Sequence, residues 1–332
     1  MGAASTSALA AAVSGAGGFG MLAATEDVLA DIDAVRRAAP AKPFGVNFLM
    51  PFFDRALFDA VAPQVPLVEF FWDQPDPVLV GVTHDAGALA AWQVGSKDEA
   101  LAAADAGCDL IVAQGMEAGG HVRGTIALLP LLDSVLDAVA VPVVAAGGIG
   151  SARGLASVLA AGASAARIGT RFVATTESGA HPSYQQALVA ADGADTVVTE
   201  AYSVWWPNAA HRVLRSAVQA AEALDDGFVG DVGGDGEAFP IPRFAARPPD
   251  RATRGQIEAM ALYAGQSVGA VRAIVSAAEV IRELTDGAAQ LLSAAQPRDP
   301  RGPGTRSMTS ARRDSRSPSN GQGKTDKTRE TP

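Results

Sequence analysis

The feature that most constrains this chain is a rhythm. Between residues 19 and 170, short apolar runs alternate with amphipathic stretches of roughly eight to fourteen residues. A run such as Leu110-Ile-Val-Ala113 is too short for a helix and apolar on both sides, as a strand covered on two faces must be. The runs at 19–23, 44–48, 67–71, 88–94, 110–113, 143–148 and 166–170 read as strands. Those at 5–16, 26–39, 55–62, 97–106, 129–138 and 152–161 read as helices, and 72–87 as an irregular Pro- and Asp-containing link. Strand–helix alternation implies parallel β/α units, and the arrangement expected is a TIM (β/α)8-type barrel. Only seven strands are found, where closure needs eight. Met1-Gly-Ala-Ala, ahead of the first helix, is too short to supply one, so the barrel is expected to lack its first strand and leave two bare edges.

The rhythm breaks after residue 178. Helices are expected at 182–191, 212–224, 255–263 and 268–284, an extended piece at 195–200, a turn at Trp205-Trp-Pro-Asn208 and a long loop over 225–250. The organisation expected is a barrel over 1–178 and a helical appendage over 179–295. Residues 296–332, rich in Arg, Ser, Pro and Gly, are too poor in apolar side chains to fold. The formal charge of −10 argues against nucleic acid, although nine Lys/Arg against four Asp/Glu follow Pro297. One cysteine, Cys108, permits no internal disulfide and reads as a packed thiol. There is no basic residue before Arg36 to start a secretory signal and no uninterrupted apolar span of membrane length, so a cytoplasmic protein without a membrane partner is expected.

Chemistry concentrates at the strand ends. After the fifth strand come four glycines (Gly115, Gly119, Gly120, Gly124), Glu117 and His121, which puts a titratable imidazole where barrels carry their sites. Gly147-Gly148 and Gly169-Thr170 follow the last two strands, where backbone N–H groups and the Thr170 hydroxyl would cradle a phosphate. A mononucleotide such as FMN is the economical ligand. Gly15-Ala-Gly-Gly-Phe-Gly20 spells a dinucleotide fingerprint, but with a helix before it and a strand after it, the wrong order. The remaining histidines rank lower: His181 as a helix-start residue, His84 and His211 as surface or capping residues. Glu117 is expected to pair with an arginine such as Arg123. Tyr202, Trp205 and Trp206 are expected to pack the appendage or line a substrate mouth.

These stretches resemble nitronate monooxygenase, formerly 2-nitropropane dioxygenase. The resemblance rests on Gln114-Gly-Met-Glu-Ala-Gly-Gly-His121, Ala145-Ala-Gly-Gly-Ile149, Gly169-Thr-Arg-Phe172, Ala261-Leu-Tyr-Ala-Gly-Gln-Ser267, Gly45-Val-Asn47 and Trp206-Pro207, in the family's order over about residues 1–290. It implies an FMN-dependent barrel oxidising alkyl nitronates, such as propionate 3-nitronate, with O2 and without a metal. His121 falls on the active-site histidine. Asn47, Gln114, Gly147, Gly148, Gly169 and Thr170 fall on flavin-contacting positions, with Gly119 and Gly120 in the loop beside the flavin. Met1-Gly2 aligns just after the family's first strand, and a misplaced start is the expected reason. The rival readings are a flavin-dependent enoyl-acyl carrier protein reductase using NAD(P)H and a truncated non-catalytic remnant. A homodimer is compatible with the resemblance.

Overall fold

The computed structural model describes residues 4–233 and 238–295, so the expected disordered tail lies outside the described residues. Seven strands form one parallel sheet: β1 (Gly20–Ala23), β2 (Phe44–Leu49), β3 (Leu67–Phe71), β4 (Leu89–Val94), β5 (Leu110–Gln114), then β7 (Val143–Ala146) and β8 (Ala165–Arg167). A two-residue strand, β6 (Gly120–His121), interrupts the count and belongs elsewhere. The sheet curls without closing among the described residues, where β1 pairs only with β2, and β8 only with β7. The expected seven-stranded barrel is what the chain forms.

The helices between the strands are α1 (Ser7–Gly15), α2 (Val28–Ala38), α3 (Arg55–Val61), α4 (Pro77–Asp85), α5 (Lys97–Asp105), α6 (Leu128–Leu136) and α7 (Ala152–Ala160). Local chemistry sets their starts. Thr6, Asp54, Ser96 and Ser151 each accept a hydrogen bond from a backbone N–H of the first turn. The link expected over 72–87 is in fact mostly α4. Asp76 caps it and Pro77 occupies its first turn, so the start signals were present, while Gly81, three valines and Thr83 weaken the propensity of its interior.

The core is densest on the β2–β4 side. Phe48, Phe58, Phe70 and Trp92 are all at most 2% exposed, and Phe70 stacks on Trp92 with centroids 4.9 Å apart. On the other side, the bare edges of β1 and β8 line a cavity of about 380 Å³. Its walls carry Leu9 and Val13 of α1, Leu155 of α7, and Ile281 and Leu284 of the last helix.

Residues beyond 178 are not only helical, which corrects the expected appendage. After the short α8 (Thr170–Val173), which follows β8, the helices there are α9 (Pro182–Ala190), α10 (Arg215–Glu222) and α11 (Ala277–Ala295). The stretch expected as a helix from 212 opens as β10 (His211–Leu214), which pairs antiparallel with β9 (Thr196–Thr199) and with β6. The expected loop over 225–250 holds β11 (Phe228–Val232) and β12 (Phe239–Pro242), which join β13 (Thr253–Gly255) in a second small sheet. In place of a helix over 255–263 there is a 3-10 turn at Ile257–Ala259. For β10, β11 and β12 the pairing with another strand overrides an ambiguous local pattern. α11 returns to the barrel, where Ile281 and Leu284 pack with Leu9 and Phe172.

Candidate functional site

The C-terminal ends of the barrel strands open into a cleft of about 380 Å³. All nine residues singled out from the sequence line it: Asn47, Gln114, Gly119, Gly120, His121, Gly147, Gly148, Gly169 and Thr170. Barrel strands from both ends of the sheet, β1 with Ala23 and β8 with Arg167, thus converge on one concavity, as open α/β architectures allow at their strand ends.

The loop carrying His121 is pinned from several sides. Gln114 does so at the end of β5: its amide donates to the His121 carbonyl (2.9 Å) and accepts from Arg123 N–H (3.1 Å). The Arg212 guanidinium, 4% exposed, donates twice to the Met116 carbonyl (3.2 and 2.8 Å). Glu117 does not pair with Arg123, as expected from the sequence. Both its oxygens accept from Leu128 N–H at the start of α6 (3.0 and 2.9 Å), while Arg123 pairs with Glu99 (2.8 Å). An unsatisfied helix N-terminus is the better partner for a carboxylate so close in the chain.

Gly147 and Gly148 adopt φ of 98° and 68°, values at which a side chain is strained. A Cβ on Gly147 would also come within 2.9 Å of the Gly115 carbonyl. Thr170 accepts from Gly265 N–H through its Oγ1 (3.0 Å), leaving its hydroxyl proton to donate elsewhere. This rim of glycines and a hydroxyl suits a phosphate.

His121 stands in an aromatic box. Trp206 stacks on it at 3.7 Å, and Trp72 (5.6 Å) and Tyr263 (5.5 Å) flank it. Its cross-strand partner on β10 is His211. Burial, reinforced by nearby His211, pushes the His121 pKa down to about 3. The imidazole is therefore neutral at working pH, and its buried Nε2 has no hydrogen-bond partner among the described residues. Trp72 and Trp205 hold φ of 83° and 74°, unusual for bulky residues, and Trp205 lines the cleft.

His211 is not a surface residue: it is fully buried, with Nδ1 against the Ala209 carbonyl (2.8 Å) and Nε2 accepting from Tyr202 N–H (3.3 Å). His181 starts α9 as expected and accepts from Ser183 N–H. Cys108 is a packed thiol, its pKa raised to about 12 chiefly by burial. Sequence reasoning missed Arg167 and Gln93, which also line the cleft. Their signal, a polar residue inside an apolar strand, was on the page for both. No helix among the described residues is long and apolar enough to cross a membrane, and no cluster of three metal-ligating side chains occurs among them.

Fold and site together define a β/α-barrel protein with one cleft built at its strand ends from a glycine rim and an aromatic-boxed histidine. The model of the nitronate monooxygenase family matches residues 1–56 and 50–287, and the chain belongs to that family. Nitronate monooxygenase npaC of Metarhizium robertsii is 32% identical over 323 residues, covering 86% of this chain and 88% of that protein. A 5-hydroxy-7a-methyl-1-oxo-octahydro-1H-indene-4-carboxyl-CoA dehydrogenase of Rhodococcus jostii is 35% identical over 212 residues, 63% of this chain. The match spans only 59% of that dehydrogenase's length. Among solved structures, nitroalkane oxidase from Streptomyces ansochromogenes superposes with a TM-score of 0.70 at 30% identity, covering 88% of this chain and 94% of that one.

Proposed function

We propose that this chain is an FMN-dependent oxidoreductase that oxidises small alkyl nitronates with O2, with His121 as its catalytic residue. The observation that carries the reading is a neutral imidazole with an unpartnered Nε2 in the same cleft as the rim of Gly147, Gly148, Gly169 and Thr170. The donor set fits a mononucleotide: a Cβ on Gly147 would meet the Gly115 carbonyl at 2.9 Å and one on Gly148 the Glu117 side chain at 3.2 Å, and the Thr170 hydroxyl retains a proton to give. Gly147, Gly148, Gly169 and Thr170 would hold the phosphate, with Asn47, Gln114, Gly119 and Gly120 around the remainder. When bound, FMN would supply the electron-accepting chemistry that no side chain provides.

His121 then acts on the substrate's charge. A base that titrates at about 3 is a poor acceptor for a carbon-bound proton, which favours a substrate arriving as the nitronate anion over the neutral nitroalkane. The neutral ring offers an N–H to a nitronate oxygen in a cleft walled by Trp206 and Tyr263, where the bond is strengthened by exclusion of water. An anion so placed also favours protonation of the ring, which couples substrate binding to proton uptake.

The test is oxygen uptake by the full chain loaded with FMN, on propionate 3-nitronate and without nicotinamide. Turnover is expected, and His121→Asn is expected to lower it by about 10²–10³-fold with FMN affinity unchanged. Full turnover in that variant removes His121 from the mechanism. No uptake, together with FMN-dependent NAD(P)H oxidation, favours a dehydrogenase or reductase, the kind of activity named for the Rhodococcus relative.

A further inference from the structure

The cleft has one charged side chain among its described lining residues, Arg167, and the glycine rim does not account for it. It ends β8, and its Cα pairs with Ala146 one step below Gly147. Its Nη1 donates to the Glu69 carboxylate and to Gln93 Oε1 (2.9 Å). Asn47 Nδ2 donates to the same Glu69 oxygen (2.7 Å). Four strands of the sheet thus contribute a polar floor beneath the cleft: Asn47 of β2, Glu69 of β3, Gln93 of β4 and Arg167 of β8.

The floor is polarised. The Glu69 side chain is 3% exposed and does not line the cleft, whereas the Arg167 side chain is 27% exposed and does. Arg167 Nε and Nη2 make no hydrogen bond among the described residues, so two edges of the guanidinium remain for a ligand. Burying a carboxylate behind an arginine is costly and adds little to stability in itself, because desolvation offsets the attraction. What such an arrangement provides is a cation of fixed position whose positive end faces the cavity.

We propose that Arg167, anchored by Glu69 and Gln93, compensates the negative charge that the bound cofactor takes up on reduction. This rests on the FMN reading above. Oxidised FMN that accepts two electrons and one proton gains one negative charge on its ring system, and a cation in the same cleft stabilises the reduced form selectively. Arg167 thereby sets how readily the cleft accepts electrons from a substrate.

The experiment is the two-electron midpoint potential of FMN bound to the full chain, with dithionite as reductant, in the unaltered protein and in Arg167→Gln, Arg167→Lys and Glu69→Gln. Arg167→Gln is expected to favour the oxidised form about tenfold more, a fall of about 30 mV. Arg167→Lys keeps the charge and should recover most of the potential. Glu69→Gln removes the opposing charge and should raise it. Opposite signs for the two neutralising variants are the signature, since a merely structural role would move both the same way. Equal-signed shifts, or none, overturn the inference while FMN binding stands. If the unaltered protein does not bind FMN, as read by quenching of flavin fluorescence, the function reading falls and this inference with it. Circular dichroism of each variant guards against misfolding, and if Arg167→Gln does not fold the test rests on Glu69→Gln, where a potential that falls or does not move overturns the inference.

Discussion

The two sides of the sheet are built differently. On the β2–β4 side, strands of five or six residues interlock through fully buried aromatics, with Phe48, Phe58, Phe70 and Trp92 in mutual contact. On the β8–β1 side, strands of three and four residues each have one partner and face a cavity between them. Stability therefore resides on one side of the barrel and the seam lies on the other. The cleft reaches both, since Asn47 and Arg167 line it together with the seam cavity. Side chains on the well-packed side can hold a geometry that those on the seam can only complete.

That contrast can be broken by substitution. Phe70→Ala, at a fully buried position, is expected to cost about 3–5 kcal/mol, read as a loss in denaturant midpoint. Leu155→Ala, half-buried on the seam, opens onto space already present and should cost roughly half as much. Equal losses would mean the seam is as tightly packed as the aromatic side. Acid sharpens the same comparison at the cleft. His121 titrates at 6.5 unfolded and at about 3 folded, so the unfolded chain binds the extra proton between those values. Stability is then full above pH 6.5 and falls as the pH drops toward 3, and His211, also shifted down chiefly by burial, adds in the same direction. Thermal melts of His121→Asn across that range should lose less on acidification than the unaltered chain; identical slopes would place the acid sensitivity elsewhere. The smallest effect is expected at the rim, where Phe52 is 56% exposed and touches Trp206 edge-on. Phe52→Ala should change stability by no more than about 0.5 kcal/mol.

The lining of the cleft was legible where glycines mark the strand ends. Gly147, Gly148, Gly169 and Thr170 announce themselves because only such residues leave amides exposed at a strand end, and their spacing after β7 and β8 carries over directly. His121 was legible as a titratable group in a glycine loop, but its neutrality was not, because Trp206 and His211 reach it from more than eighty positions away. His211 was misjudged for the reason that hid β10: the four-residue stretch His211-Arg-Val-Leu214 fits a helix end or a strand, and only β6 and β9 decide between them.

The sequence by itself determined the order and type of the barrel elements apart from α4, since hydrophobic period and capping residues act over a few neighbours and need no distant partner. It also carried the family motifs at the strand ends. The tertiary structure alone decided what surrounds the imidazole and the meeting of Glu69 with Arg167 across 98 positions. Those depend on burial and on electrostatics in a closed space, which no local stretch of chain encodes.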